Sequence, residues 1–154
     1  MLANGSMKKI VKIPFCDFCN ALLKDVITLC SSCQRKICSS CVVIYKDKNY
    51  CRKCAAQLVS LTKEHCMVLL GIAQEVNLKK IEKFSRISSE NLRKSLLTLL
   101  ERDLIERRGL SVFAHCIATH KGLSLLPMCQ QIYQSEGDFQ HFIMEVKNFL
   151  RGKL

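Results

Sequence analysis

Apolar residues recur at helical spacing in the second half of the chain, starting near Leu61. One set falls on a single helical face and predicts a first helix that ends near Val76: Leu61, Val68, Leu69, Ile72 and Val76. A short second helix is predicted in NLKKIEKFSR, residues 77–86, and the following ISS supplies a turn with Ser88 as N-cap. The pattern therefore predicts two consecutive helices with a capped turn after the second.

The stretch SENLRKSLLTLLERDL, residues 89–104, has the clearest helical pattern. At about 100° per residue, its leucines fall on one narrow stripe: Leu92, Leu96, Leu99 and Leu100. Polar side chains cluster on the opposite side, with Arg93 at the border: Asn91, Lys94, Ser95, Thr98 and Arg102. The pattern predicts a third helix with one apolar face and one polar face.

The next stretch, LIERRGLSVFAHCIATHKGLSLL, does not continue this helical pattern. A turn at Arg108-Gly109 separates two runs that contain apolar residues, which predicts a β-hairpin. Thr119 is then the expected N-cap of another helix. A helix is also expected after Pro127, running toward Gln134 before SEGD breaks it. This region is therefore predicted to be a hairpin followed by helices.

The final predicted helix is capped by Asp138 and carries an apolar stripe roughly 120° wide. Its members are Phe139, Phe142, Ile143, Val146, Phe149 and Leu150. A stripe with three phenylalanines is too apolar to stay exposed. The helix either folds back onto its own chain or pairs with the same helix of a second copy, and we expect a homodimer.

Before residue 58 the chain is dominated by cysteines rather than by helical periodicity. Eight of the eleven cysteines form four C-x2-C pairs, separated by ten, four and nine residues. Each pair can direct two thiolates to one tetrahedral Zn²⁺ at about 2.3 Å, and two pairs complete a structural site with no open position. A segment of about 45 residues, 13–57, is too short to bury a sufficient core unaided. We therefore expect two structural zinc ions.

The spacing alone leaves two ways of sharing the ions, sequential pairs or interleaved pairs. The array C-x2-C-x4-C-x2-C in its middle resembles the treble-clef cross-brace of FYVE-type fingers and, more distantly, of RING and PHD fingers. That resemblance implies interleaving, with Cys16, Cys19, Cys38 and Cys41 on one ion and Cys30, Cys33, Cys51 and Cys54 on the other. Residues 25–29 read DVITL where lipid-binding FYVE fingers are basic, and CRKC lacks the proline usual in RING fingers. Lipid binding and ubiquitin-ligase activity are therefore not carried over.

Three cysteines lie outside the pairs: Cys66, Cys116 and Cys129. A third metal site with His65 or His115 is one interpretation, but buried apolar cysteines are far commoner, and we expect core positions. Disulfides need an oxidising compartment, and no secretory pattern is seen. We expect a cytoplasmic, reducing environment.

The composition is globular, with 49% hydrophobic residues and a formal net charge of +11. Eight thiolates and two Zn²⁺ ions would lower that charge to about +7. The excess of Lys and Arg lies in residues 8–121, whereas residues 122–154 are balanced. Such a charge is consistent with an anionic partner or with a cationic surface that only keeps the protein in solution, and charge alone does not decide between the two.

Two stretches, LLTLLERDLIERR and IATHKGLSLL, resemble the recognition helix, wing and LT-x-KG-x-x-L step of MarR/PadR-like and small archaeal winged-helix regulators. The resemblance covers about residues 62–126 and departs at Asp103, where the family usually has Gly; Asp tolerates a left-handed conformation better than most residues. It implies that the third helix enters the major groove of DNA and that the hairpin tip lies near phosphates. The implied contacts are Asn91, Arg93, Lys94, Ser95, Thr98, Arg102, Arg107 and Arg108.

Taken together, we expect an α+β, mainly α protein with four segments. These are a partly vector-derived leader (1–12), a two-zinc cross-brace finger (13–57), a winged helix-turn-helix (58–126) and C-terminal amphipathic helices for dimerisation or docking (127–154). The predicted function is a zinc-stabilised transcriptional regulator that binds double-stranded DNA. The alternative is an adaptor whose finger docks a protein partner, such as one of the ubiquitin system or of membrane trafficking. No catalytic motif and no membrane-length apolar run appears, so we expect neither an enzyme nor a membrane span.

Overall fold

The protein is described from a computed structural model, over residues 14–23, 27–109 and 115–152. The chain divides into two compact units, the first ending at Cys54 and the second beginning at Ala55. The described residues form an α+β, mainly helical structure with six helices and three two-stranded antiparallel sheets. The leader and residues 110–114 of the predicted hairpin lie outside the described residues.

The first unit is built from two short hairpins. Strands β1 (Thr28–Leu29) and β2 (Lys36–Ile37) pair with each other, as do β3 (Val43–Tyr45) and β4 (Lys48–Tyr50). The β3–β4 turn contains two residues with left-handed backbone, Lys46 at φ 49° and Asp47 at φ 62°. Two consecutive positive φ angles match the right-handed twist of a tight hairpin, which is why the turn needs only two residues.

Four of the five residues that form the buried cluster of this unit are cysteines: Cys16, Cys30, Ile37, Cys41 and Cys51. Partly buried side chains such as Phe18, Leu23 and Tyr50 pack against that cluster. Strands of two or three residues bury little apolar surface of their own. The centre of this unit therefore consists mostly of sulfur ligands.

Helix α1 (Arg52–Val59) begins in the first unit and continues into the second, which also contains five further helices and one hairpin. Helices α2 (Lys63–Ala73), α3 (Leu78–Ser85) and α4 (Ser89–Glu101) come first. Strands β5 (Ile105–Arg108) and β6 (His115–Ala118) form the hairpin, and α5 (His120–Tyr133) and α6 (Gly137–Gly152) follow. The N-caps predicted at Ser88 and Thr119 are confirmed, since each side chain accepts a hydrogen bond from the backbone three residues later.

Helix α2 is the centre of this unit. Its residues 66–72 are all buried, so it is surrounded on every side rather than amphipathic. It packs against α3, α4, α5, α6 and β6. Thr62 caps its N-terminus by accepting from the N–H of His65, whose ring Nδ1 in turn accepts from the N–H of Thr62. The helix ends at Ala73, three residues earlier than predicted, because Glu75 turns the chain with a φ of 60°.

The step from α4 into β5 is a left-handed turn at Asp103, with φ 56°. The expected tolerance of Asp at this position is therefore confirmed. The Thr119 hydroxyl donates to the carbonyl of Asp103 at 2.6 Å, and the Thr119 N–H donates to the carbonyl of Leu104 at 3.0 Å. Gly122 makes this approach possible, because a Cβ there would lie 2.1 Å from the Leu104 carbonyl oxygen.

Helix α5 runs through Pro127 without interruption, so the separate helix expected after that proline does not occur. A proline inside a helix releases the carbonyl four residues earlier, here that of Leu123. Both Leu123 and Pro127 are exposed, so solvent can satisfy the released carbonyl. Position on the outer face explains why the helix tolerates this residue.

Helix α6 folds back onto its own unit, which was one of the two explanations for its apolar stripe. Phe139, Phe142 and Val146 are buried there, and Phe149 packs edge-to-face against Phe84 with ring centroids 5.8 Å apart. The three buried residues were predicted as a dimer interface. That assignment is wrong for them because the same chain already covers their side chains; Ile143 and Leu150 are half-buried. Within the described residues, no helix combines the length and apolarity that crossing a bilayer requires.

Candidate metal centres

The four cysteine pairs come together as two groups of four thiols. The first pair joins the third and the second joins the fourth, giving Cys16, Cys19, Cys38 and Cys41 in one group and Cys30, Cys33, Cys51 and Cys54 in the other. Within each group all sulfur atoms lie within 4.8 Å of one another. The structure therefore has the interleaved arrangement rather than the sequential one.

Each group takes two of its four thiols from a C-x2-C turn, called a knuckle below. Cys16 and Cys19 form the knuckle of the first group, and Cys30 and Cys33 form that of the second. The Cys16 N–H donates to the carbonyl five residues later, and its own carbonyl accepts from Asn20 at 3.0 Å. Cys30 repeats both bonds, its carbonyl accepting from Gln34 at 2.9 Å. Asn20 and Gln34, each directly after the second cysteine of its pair, have left-handed backbone with φ 60° and 65°. The positive φ closes the turn so that both sulfurs of a pair face the same point.

The other half of each group comes from two different local structures. Cys38 and Cys41 lie on a tight turn after β2, where the Cys38 carbonyl accepts from the N–H of Cys41 at 3.1 Å. Cys51 and Cys54 lie where β4 ends and α1 begins, and the Cys54 N–H donates to the Cys51 sulfur at 3.4 Å. The start of a helix presents free N–H groups and a positive dipole end, which favour thiolates.

The sulfur geometry fits a tetrahedral ion. A Zn–S bond of about 2.3 Å places the sulfurs of a tetrahedral site about 3.8 Å apart. The sulfurs of Cys33 and Cys51 are 3.8 Å apart, and those of Cys19 and Cys38 are 3.4 Å apart. Four thiolates suit Zn²⁺ better than hard cations, which prefer oxygen ligands. Each group can therefore hold one metal ion, and four cysteine ligands leave no position open for catalysis.

Hydrogen bonds from backbone N–H groups favour the thiolate form of one cysteine in each group, which is the form that binds a cation. Burial raises the pKa of Cys16, but hydrogen bonds from nearby N–H groups outweigh burial and lower that pKa to about 6; the same balance lowers the pKa of Cys30 to about 6. Burial, reinforced by neighbouring thiols, raises the pKa of Cys41 and raises that of Cys51 to about 12. Only a cation offsets four crowded negative charges, so metal binding releases protons and weakens as pH falls.

Hydrogen bonds outside the sulfur shells tie the knuckles to the hairpins. The Asp17 N–H donates to the Lys36 carbonyl at 2.9 Å, and the Lys36 N–H donates to the Asp17 carboxylate at 2.8 Å, which joins the first knuckle to β2. The Ser31 N–H donates to the Asn49 carbonyl at 2.8 Å, which joins the second knuckle to β4. Neither knuckle is an independent module.

The three remaining cysteines form no third group of metal ligands in the part of the chain that the structure describes. Cys66 and Cys129 are fully buried in the second unit, as expected of core cysteines, while Cys116 is half-buried in β6. Contact with Cys129, together with burial, raises the pKa of Cys66. Cys66 is therefore a protonated packing group in the core of the second unit.

Three of the predicted DNA-contact residues lie on the exposed side of α4: Asn91, Arg93 and Lys94. The Lys94 ammonium is 3.4 Å from a Glu90 carboxylate oxygen, in an exposed pair one turn apart. Leu97, near the middle of the helix, is 50% exposed. This side of α4 is therefore mixed in character, with cations, an amide, an acid and one leucine.

Ser95 was predicted on that polar side, and this assignment is wrong because its side chain is only 3% exposed. It lies between Leu92 and Leu99 on the packed face, whereas Leu96 and Leu100 are only half-buried. The buried stripe is therefore rotated relative to the leucine stripe. Ser95 is therefore part of the packed face of α4.

The side chains of Thr98 and Arg102 are engaged within the chain. The Thr98 hydroxyl donates to the Lys94 carbonyl at 3.1 Å. The Arg102 guanidinium donates to the carbonyls of Val59 at 2.7 Å and Ser60 at 2.8 Å, satisfying the end of α1. Arg102 therefore stabilises a helix terminus, and its assignment as a DNA contact is corrected to a structural one.

Arg107 and Arg108 lie in β5, on the part of the hairpin nearest its turn. Arg107 pairs in register with Cys116 and Arg108 with His115, and both arginines are exposed. Arg108 forms an ion pair with Glu106 at 3.1 Å. The turn predicted at Arg108-Gly109 is therefore wrong for Arg108, which is still paired within β5; residues 110–114, between the two strands in sequence, lie outside the described residues.

Comparison with known proteins finds no matching family model, no matching curated protein and no matching solved structure.

Proposed function

We propose that this protein is a zinc-stabilised DNA-binding regulator, with Zn²⁺ in both four-cysteine groups and a winged helix in its second unit. The order α2, α3, α4, hairpin, α5 is that of a winged helix-turn-helix, and Asp103 and Gly122 make the tight connections that this order requires. Zinc would hold the first unit together and take no part in a reaction. The proposal includes no enzymatic activity.

The observation that carries the proposal is the exposed side of α4. Asn91, Arg93 and Lys94 project from one rigid helix that is capped by Ser88 and packed against α2. Asn pairs with adenine, and Lys or Arg pairs with guanine or phosphate. Leu97 is suited to contact a thymine methyl group. Arg107 adds a further cation from the hairpin, while Glu90 limits how many phosphates this surface can approach.

The test is salt-dependent binding of the zinc-loaded chain to a pool of random-sequence duplexes. Replacing Asn91, Arg93 and Lys94 by alanine should weaken binding at least about tenfold and make the salt dependence shallower by about two contacts, since two cations are lost. The matched control replaces Lys147, Asn148 and Arg151 of α6, which are exposed and have the same three side-chain types. Equal losses in both variants, or binding that ignores salt, would overturn the proposal.

Self-association is a separate part of the proposal, since regulators of this type read symmetric sites as dimers. The surface that remains for it on α6 is the half-buried Ile143 and Leu150 with the exposed Met144. Replacing Ile143 and Met144 by glutamate should convert a dimer to a monomer in light scattering. A wild-type chain that is monomeric at high concentration would rule out this part alone.

A second candidate function is an interaction adaptor, because the first unit exposes large apolar side chains. Phe15, Leu22, Ile27, Leu29 and Ile44 are each between 44% and 56% exposed. Exposed apolar surface on a small unit commonly marks a protein-binding site. No binding to any duplex, together with loss of a protein partner after Ile44→Glu, would favour the adaptor over the regulator.

A further inference from the structure

The second unit has a groove of about 940 Å³ between the α2–α3 connection and β6. One wall is formed by residues 75–79 and the other by the whole of β6, with Leu123 of α5 at the edge. Ile72 and Val76, each only 4% exposed, belong to its apolar lining. Its volume lies near the upper end of the range for ligand pockets, so it is large enough for several side chains.

Strand β6 offers unpaired backbone groups to this groove. The Thr119 N–H donates to the Leu104 carbonyl, so alternate residues before Thr119 point their backbone groups toward β5. The residues between them, Cys116 and Ala118, therefore turn their N–H and C=O groups to the other edge. Among the described residues, no backbone group is bonded to that edge. A strand edge of this kind is a template for one more strand.

Exposed apolar surface accompanies that edge. Leu123 is 46% exposed and Leu78 is partly exposed, and both line the groove together with the buried Val76. Backbone groups next to apolar side-chain surface are the two components of strand addition, in which hydrogen bonds give affinity and side-chain pockets give selectivity. A compact small molecule would use the apolar surface but leave the row of edge groups unpaired.

The groove continues into a positively charged depression. Lys79 lines both, and the depression is otherwise formed by Glu82, Lys83, Arg86 and Ile87. Three cations against one acid favour a ligand that is negatively charged at this end. A second copy of this chain would bring further positive charge, since its own net charge is +11. Charge therefore favours a different chain as the occupant.

We propose that this groove binds an extended segment of a partner protein, which adds to β6 as a third strand. Alternate apolar side chains of the segment lie against Val76, Leu78 and Leu123, and acidic residues beyond them face Lys79 and Lys83. The site lies apart from the exposed side of α4, so the inference does not depend on DNA binding.

The experiment selects peptides from a random display library on the zinc-loaded full chain. The expected result is enrichment of sequences in which apolar residues alternate and acidic residues follow. Binding of a synthetic enriched peptide should slow amide exchange at Cys116 and Ala118 and slow alkylation of Cys116. Enrichment of peptides that protect other residues, or no enrichment, would overturn the inference.

Variants then distinguish peptide binding at the β6 edge from peptide binding to exposed apolar surface in general. Ala118→Pro removes one edge N–H and should weaken peptide binding roughly tenfold, since proline is tolerated on a strand edge but cannot donate. Leu123→Glu provides a second test if that variant fails to fold. Leu58→Glu is the matched control, because Leu58 is 50% exposed and outside the groove. Equal binding by the Leu123 and Leu58 variants, or a wild-type dimer that Leu123→Glu dissociates, would contradict the peptide assignment.

Discussion

The two units of this chain reach a folded state by different means. In the first, strands of two or three residues surround a buried cluster made mostly of cysteines. In the second, one helix is buried on every side, and five other elements pack against it. A unit of about 50 residues buries too little apolar surface to fold reliably unaided, whereas about 100 residues bury enough. In the first unit, the candidate metal ligands therefore occupy the place that packed apolar side chains occupy in the second.

Removal of metal should have the largest effect of any change. Structural zinc contributes on the order of 10 kcal/mol or more to folding in small domains. A strong chelator should therefore abolish amide protection at Cys30, Ile37 and Cys51 while leaving Leu69 and Phe139 protected. Hydrogen exchange followed by mass spectrometry measures both units in one sample. Persistent protection of Ile37 in metal-free protein would show that the first unit has a sufficient core of its own.

Paired cysteine substitutions test which cysteines share one ion in the first unit. Cys19→Ser with Cys41→Ser removes two ligands from one group, and native mass spectrometry should find about one ion per chain retained. Cys19→Ser with Cys33→Ser damages both groups, and retention should fall for both ions. The two variants lose the same number of thiols, so each is the control for the other. Identical metal content would contradict the interleaved grouping.

The cysteine spacing predicted that four pairs form two sites, but not which pairs share an ion. Spacing specifies each knuckle locally, whereas grouping depends on bonds between distant residues, such as those linking Asp17 to Lys36. The left-handed turns at Asn20 and Gln34 were also not predicted from the sequence. Glycine is the usual signature of such turns, and neither position has one.

In the second unit, most helix positions and the caps at Ser88 and Thr119 were predictable because they follow from local periodicity and local hydrogen bonds. Which side of each helix is buried was less predictable. Ser95 is buried and Leu97 exposed because the packing of α4, rather than residue type, decides which side is covered. For the same reason the stripe on α6 identified a buried face but not what covers it. An apolar stripe has the same pattern whether its partner is its own chain or another copy.

A core substitution should destabilise the second unit by less than metal loss destabilises the first. Phe142 is fully buried, so Phe142→Ala should lower the free energy of unfolding by about 4 kcal/mol. Met144 is 62% exposed, and Met144→Ala is the control, expected to change stability by less than about 0.5 kcal/mol. Urea unfolding of the zinc-loaded chain, monitored at residues of α6, measures both. A small effect for Phe142→Ala would mean that α6 does not pack on its own unit.

The close approach of α5 to the α4–β5 turn predicts a smaller loss. A Cβ at Gly122 meets the Leu104 carbonyl oxygen at 2.1 Å, and backbone cannot move aside easily, so Gly122→Ala should cost about 3 kcal/mol. Gly137→Ala is the matched control, since nothing lies within 4 Å of the added Cβ. That variant should be neutral or slightly stabilising, by up to about 1 kcal/mol. Equal stability of the two variants in urea would contradict the tight contact.

The smallest predicted effect is the pH dependence of the ion pair between the first turns of α2 and α6. The Lys63 ammonium lies 2.7 Å from an Asp138 carboxylate oxygen, and its hydrogen bond lowers the pKa of Asp138. Because the pKa of Asp138 is lower in the folded state, its ionised carboxylate stabilises the fold at pH values above the unfolded-state pKa of about 3.9. This stabilisation is lost as the pH falls through the folded-state pKa. Because Asp138 is largely exposed, Asp138→Asn should cost under about 1 kcal/mol at pH 6. That cost should shrink below about pH 4, and it should vanish when Asp138→Asn is made in a chain that carries Lys63→Met. A loss that is equally large at every pH would show that Asp138 acts through helix capping rather than through its charge.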